Sequence, residues 1–274
     1  MRGVYTAGVL DFFLEQDVQF ESIYGVSAGA VQACSYLSKQ KGRGYACAVN
    51  YLDDWRYMSF RSLLLTGDLF GVKMCYDTIP NKLYPFDHVT FEKHPSKLYA
   101  VLTDVETGGA IYRPVEDMQH GITVIRASAS LPLVSRMVKV DGRRALDGGI
   151  ADSIPLERAM KDGFERNIVV LTQHEGYRKQ DSRGGLIAQI RYPLRKALRA
   201  RMKDRPARYN EQLALVERMA SEGKVFVIRP KEPVGFARIE KDREKLASLY
   251  KKGYGDAKAL YPQMLAYIIG TENF

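Results

Sequence analysis

The chain has 274 residues and a mass of 31.0 kDa, enough for one large α/β domain or one domain with an appendage. Hydrophobic residues make up 46% and charged residues 27%, an ordinary globular balance, and no run approaches the roughly 18 apolar residues that span a bilayer, which excludes a chain built on membrane-spanning helices. The net charge of +9 is concentrated between Arg183 and Arg208, where nine lysines and arginines face Asp204 alone; this points to an anionic partner, either a lipid surface or a nucleic acid.

In chain order, residues 4–16 have helical spacing, with Val4, Ala7, Val9, Leu10 and Phe13 interrupted by Asp11 and Glu15. That pattern is not the apolar centre of a secretion signal, so a cytoplasmic location is expected. A short strand over 20–24 ends at Gly25, and small residues from Ala28 to about Lys39 recur at helical intervals. Residues 43–80 read as helical or irregular. Trp55 there, with Tyr51 and Tyr57, is expected to pack in the core, with the lining of an acyl pocket as the alternative. Lys97 to Asp104 alternates as a strand, and Ala110 to Tyr112 is placed to pair with it across Thr107-Gly108-Gly109. A helix over 122–130, stopped by Pro132, and a strand over 143–146 follow, then a helix over 155–161. Asn167 to Thr172 reads as a strand buried on both faces.

A basic helical stretch over 186–219, broken near Pro206, precedes a last strand over 224–228 and a charged helical tail from 238. Alternating strands and helices imply an α/β fold, a three-layer α/β/α sandwich with a mainly parallel central sheet. The expected division is 1–175 for the main domain and 176–274 for a basic helical segment, final strand and C-terminal extension on the same core. Cys34, Cys47 and Cys75 are odd in number and widely spaced, as expected of buried free thiols.

Gly25-Val26-Ser27-Ala28-Gly29 lies where a strand turns sharply into a helix. A serine there is exposed at the helix N-terminus, where orphan N–H groups and the helix dipole favour developing negative charge. Glycines on both sides let strand and helix approach closely. The pattern is short and also occurs in unrelated loops, but here the expected flanking strand and helix are present. Ser27 is therefore the candidate nucleophile, and a serine hydroxyl needs a base. None of His88, His94, His120 and His174 lies in a setting that announces that role. His88 and His94 lack metal-ligand spacing and read as surface or capping residues; no metal or cofactor is expected. Asp147, in Asp147-Gly148-Gly149 after a strand, is the other candidate, although Asp-Gly also favours ordinary turns. Asp104 also ends a strand and is not the expected base.

With both motifs in view, the sequence resembles the bacterial patatin-like phospholipases. Met1-Arg2-Gly3 through Leu10 resembles the end of that family's oxyanion loop and the helix after it. Arg126-Ala127-Ser128-Ala129-Ser130-Leu131-Pro132 is similar to the segment upstream of its aspartate, and Asp147 to Pro155 to its aspartate block. The likeness covers about residues 1–175. Segments 236–242 and 253–257 are similar to the C-terminal extension of one bacterial branch. The resemblance implies a Ser27–Asp147 dyad, a carboxylic ester of a lipid as substrate, and oxyanion contacts from Arg2, Gly3 and Ala28. The family's first strand and glycine run normally precede Arg2, so the first strand is expected to be missing here.

Two other readings stay open: a Ser27–Asp147–His174 esterase, and a catalytically impaired lipid-binding or regulatory protein. The basic segment is expected either to be a solvated face or to dock on anionic lipid, with peripheral contact at the inner membrane face. With only Tyr192 and Tyr209 beside its cations, nucleic-acid binding is not expected.

Overall fold

The structure is a computed structural model that describes residues 1–180, 184–233, 235 and 239–270. Its elements in order are α1 (Gly3–Glu15), β1 (Ser22–Val26), α2 (Ala28–Leu37), α3 (Arg43–Val49), α4 (Phe60–Thr66), a wide π-helical segment (Met74–Leu83), α5 (His88–Lys93), β2 (Lys97–Asp104), β3 (Ala110–Pro114), α6 (Met118–Ser128), β4 (Val138–Val140), β5 (Arg143–Asp147), α7 (Leu156–Lys161), β6 (Asn167–Val170), α8 (Gly184–Arg191), α9 (Lys196–Ser221), β7 (Val225–Ile228) and α10 (Arg243–Ile269).

The strands form a sheet in the order β1-β2-β5-β4, with β3 also paired to β2, and a second pair, β6-β7. β1–β2 and β6–β7 run parallel; β3 and the β5–β4 hairpin add antiparallel partners. Side-chain alternation assigns the helices to two faces. In β6 and β7, Ile168, Val170, Phe226 and Ile228 join the cluster of α1, α2 and α10, while Val169, Val225 and Val227 pack on Leu213 and Val216 of α9. In β5, Ala145 meets Ala127 of α6, and Leu146 meets Ala188 and Tyr192 at α8. The result is a three-layer α/β/α sandwich: α1, α2, α6 and α10 on one face, α7 to α9 on the other.

The C-terminal helix belongs to the main core. α10 crosses α1 where each helix turns a glycine to the other's backbone. A Cβ on Gly8 would overlap the Tyr250 carbonyl oxygen, and one on Gly253 would overlap that of Tyr5. Paired polar groups border the crossing: Tyr5 donates to Asp256 at 2.8 Å and Tyr250 to the buried Asp11 at 2.7 Å.

Several sequence expectations change. The basic helix breaks at Pro193, between α8 and α9, and Pro206 is accommodated buried inside α9. α6 begins earlier than its apolar periodicity suggests, because Asp117 caps it by accepting from the His120 N–H at 2.8 Å. β6 is half-buried along its whole length. Trp55 is 41% exposed, with the Arg61 guanidinium 4.3 Å over its ring. Residues 236–238 and Arg183, singled out in the sequence, lie outside the described residues.

Candidate active site

β1 delivers the chain to Ser27 and α2 takes it away. Ser27 has φ 54° and ψ −121°, a left-handed φ that a side chain rarely adopts and that costs on the order of 1–3 kcal/mol. The surroundings hold it there. A Cβ on Gly25 would come within 2.5 Å of the Ala30 Cα, so only glycine lets β1 and α2 approach this closely. The Ser27 N–H donates to Ser128 Oγ at 3.0 Å, and that hydroxyl donates to the Val101 carbonyl at 2.7 Å. Gly29 differs from the expectation: nothing lies within 4 Å of where its Cβ would stand, so it leaves open space beside the serine.

The helix ladder of α2 begins with the Ala30 N–H donating to the Ser27 carbonyl at 3.0 Å. The N–H groups of Ala28 and Gly29 precede it and have no intrahelical acceptor. The N-terminus of α1 arrives at the same place, since a Cβ on Gly3 would stand 2.6 Å from Ala28 Cβ. Two helix N-termini, each with partial positive charge, thus adjoin beside Ser27.

Asp147 closes β5 and is 2% exposed. Its Oδ1 accepts from the Gly149 N–H at 2.8 Å, its N–H donates to the Ser130 carbonyl at 2.8 Å, and its carbonyl accepts from Thr103 Oγ1 at 2.9 Å. Thr103 Oγ1 also accepts from the Ala151 N–H at 3.1 Å, so one hydroxyl bridges both ends of the loop. A Cβ on Gly148 would overlap the Val101 carbonyl oxygen, the atom that anchors Ser128. The supports of Ser27 and of the Asp147 loop therefore meet at Val101.

Ser27, Asp147, Arg2, Gly3, Ala28, Gly25, Gly29 and Gly149 all line one cavity of about 1210 Å³. All of β1 and β6 line it as well, which is why β6 is only half-buried. Its lining includes the apolar side chains of Tyr57, Phe70, Ile79, Phe86, Ile122 and Ile125. The cysteines belong to the same lining; burial pushes the Cys34 and Cys75 thiols up to about 12, so they stay protonated at neutral pH.

Residues 1–160 match the family of patatin-like phospholipases. The chain belongs to the patatin-like phospholipase family. Residues 195–269 match a domain of unknown function, DUF6363, so this patatin-like chain carries α9, β7 and α10 as a named but unexplained unit. It is also 27% identical over 177 residues to the uncharacterized protein YjjU of Escherichia coli (strain K12), covering 62% of this chain and 49% of that protein. The chain thus spans about half the length of the curated relative it matches.

Within this patatin-like frame the basic segment has a part that its charge alone did not suggest. Arg205 Nε donates to the Gly149 carbonyl at 2.6 Å, Arg208 reaches the Ala151 carbonyl at 3.5 Å, and Arg201 Nε donates to the Gly108 carbonyl at 2.9 Å. Arg195 pairs with Glu106. Four of the nine cations of the basic run therefore engage loops of the core, Arg205 and Arg208 the segment after Asp147 and Arg195 and Arg201 the turn between β2 and β3. A sequence cannot separate these arginines from solvated ones, because both kinds occur in one charged helix. Arg2 and Arg205 also act on Tyr209, a cavity-lining residue of α9 whose hydroxyl is held above its ordinary range by burial, then by Tyr177, against the pull of these cations.

His174 is absent from the cavity wall; it sits in the turn after β6 with its ring 5.8 Å from Tyr177. His88 is an exposed residue of the cavity lining, its ring 5.2 Å from that of Phe86. Asp104 organises a turn, accepting from the Glu106 and Thr107 N–H groups at 2.8 and 3.0 Å. Burial would raise its carboxyl, but these N–H groups and Arg143 outweigh that and hold it below the usual range. No group of three or more His, Cys, Asp or Glu side chains among the described residues is placed to hold a metal ion.

Proposed function

We propose that this chain hydrolyses carboxylic esters of lipids through a Ser27–Asp147 dyad. The observation that carries the reading is the left-handed backbone of Ser27 at a strand-to-helix turn, on the wall of an apolar cavity shared with the buried Asp147. Ser27 Oγ attacks the ester carbonyl carbon as its proton passes to the Asp147 carboxylate. The carbonyl oxygen becomes an oxyanion facing the N–H groups of Ala28 and Gly3, with Arg2 nearby. Collapse breaks the carbon–oxygen bond to the alcohol, which leaves with the proton from Asp147. Water, deprotonated by Asp147, then attacks the acyl-enzyme, releasing the fatty acid and restoring Ser27. The apolar side chains of the cavity lining take the acyl chain, and medium and long acyl esters are expected to be turned over with lower KM than acetate.

The experiment that separates dyad from triad is His174→Ala, assayed on a soluble short-chain ester. The dyad predicts kcat within about twofold of the parent; a loss of the about 10⁴-fold that a disabled triad member can cause would reinstate the histidine. A catalytically impaired protein would instead show no turnover of any ester in the parent chain.

Arg205 has a positioning part in this reading, because it holds the Gly149 carbonyl two residues from Asp147. Arg205→Gln is expected to lower kcat about 100-fold with KM little changed, the size of effect an ångström of misplacement produces. A melt unchanged alongside that loss supports positioning; a parallel fall in both would make Arg205 structural only.

A further inference from the structure

α4 is inside out for a helix bathed in water. It buries Ser62, whose hydroxyl donates to the Asp68 carbonyl at 2.8 Å, and presents Phe60, Leu64 and Leu65 at 75%, 86% and 66% exposure. α8 repeats the pattern at its end. Its Ala188 and the following Tyr192 are buried, while Ile190 and the nearby Leu194 are 84% and 86% exposed. Apolar side chains this open and this clustered mark an interaction surface.

The two clusters flank one loop. Leu133 N–H donates to the Tyr192 hydroxyl at 3.0 Å on the α8 side, and the next residue, Val134, accepts from the Leu69 N–H at 2.8 Å on the α4 side. Arg136 fastens the same loop to Asp68 through two bonds of 2.9 Å. Upstream, the loop supplies Ala129 and Leu131 to the cavity wall, and its Ser130 carbonyl holds the Asp147 N–H. Cations are interleaved with the apolar tips: Arg61 on α4, Arg191 at the end of α8, and Lys196 at the start of α9, none of which forms an ion pair among the described residues. Apolar tips ringed by cations, beside a lipid-sized cavity, complement a surface that is apolar within and anionic at its face.

We propose that the tips of α4 and α8 form the face by which this protein docks on an anionic bilayer, Phe60, Leu64, Leu65, Ile190 and Leu194 entering the acyl boundary while Arg61, Arg191 and Lys196 meet lipid phosphates. This rests on the lipid-ester reading of the cavity and names how the substrate is met. It also relocates the membrane contact from the whole basic run to its start, since the later arginines face inward.

Trp55, the only tryptophan, stacks against Arg61 of α4 and reports on this face directly. The test uses the full chain carrying Ser27→Ala, so that hydrolysis does not alter the vesicles, with phosphatidylcholine vesicles that contain or lack phosphatidylglycerol. Binding to the anionic vesicles is expected to shift Trp55 emission to the blue, to expose it to quenching by brominated acyl chains, and to weaken with salt. Adding Leu64→Ser, Leu65→Ser, Ile190→Ser and Leu194→Ser is expected to lower the partition coefficient at least about tenfold. The same four changes in the parent chain leave soluble short-ester turnover and the thermal melt unchanged. Vesicle binding unaffected by the four changes, or no vesicle binding by the parent, overturns the proposal. So does a dimer in solution that the four changes dissociate, because the face then belongs to a second copy. An inactive parent in the short-ester assay would count against the hydrolase reading alone, with the vesicle measurement still deciding the face.

Discussion

Ser27→Ala is expected to remove ester turnover by about 10⁴-fold or more, and Asp147→Asn by a similar factor, with the double variant no worse than either single one. Such non-additivity follows when one side chain forms the bond and the other takes its proton, since removing either stops the same step. Asp147→Asn is the sharper test. Asparagine keeps an oxygen able to accept from the Gly149 N–H, now at 2.8 Å, so the loop between β5 and α7 stays in place while the carboxylate is lost. Both variants should keep the parent's melting temperature. Alanine brings no relief of strain at Ser27, because a positive φ is no easier for alanine than for serine. Steady-state kinetics on a soluble ester, with the melt as control, check this; an Asp147→Asn enzyme within tenfold of the parent would remove Asp147 as base.

Gly253→Ala is expected to be among the most destabilising single changes, although alanine ordinarily favours a helix over glycine by about 1 kcal/mol. The new Cβ would overlap the Tyr5 carbonyl oxygen, a backbone atom that moves only if α1 moves. Overpacking costs about 1–3 kcal/mol, and a clash with backbone belongs at the upper end, about 3 kcal/mol, so the net loss, after the propensity gain of about 1 kcal/mol, is about 2 kcal/mol. For a chain of this size that lowers Tm by about 4–8 °C. Gly255 is the internal control. It lies in the same helix with nothing within 4 Å of its Cβ position, and Gly255→Ala should raise stability by about 0.5–1 kcal/mol. Opposite signs two residues apart would establish the α1–α10 crossing as the reason for the glycine. Equal signs would refute it. Because α1 begins at Gly3 beside Ala28, separation of the helices at Gly253 should also reduce turnover at temperatures below the melt. That result would give the C-terminal extension a physical role, with α10 holding the helix whose N-terminus lies beside Ala28.

How legible all this was in the sequence depended on whether a feature is local. The strand–turn–helix at Ser27 was readable because its signals are contiguous, a strand ending at Gly25 and small residues after Ala28. The β2–β3 hairpin was readable for the same reason, through Thr107-Gly108-Gly109. Features made by partners distant in sequence were not. Ser128 and Thr103 are ordinary residues of a helix and a strand until Val101 and Asp147 are placed beside them. The inward turn of Arg201, Arg205 and Arg208 is set by the carbonyls of the facing loops, and nothing in the helix itself marks those three. Prolines misled in a similar way. Pro206 looked like the helix breaker, yet it is buried within α9, whereas Pro193 ends α8 by disfavouring the helical conformation at Tyr192. Trp55, expected in the core with an acyl pocket as the alternative, is 41% exposed with the Arg61 guanidinium stacked on its ring, a partner the sequence does not mark.

The central claim is that Ser27 is an activated nucleophile, and labelling with a fluorophosphonate followed by peptide mass analysis tests it most directly, because that reagent phosphonylates serines whose hydroxyl is deprotonated on attack. The expected result is a single adduct on the peptide containing Ser27, abolished by Ser27→Ala and slowed by orders of magnitude in Asp147→Asn. An unlabelled parent chain, or an adduct on another residue that persists in Ser27→Ala, would contradict it.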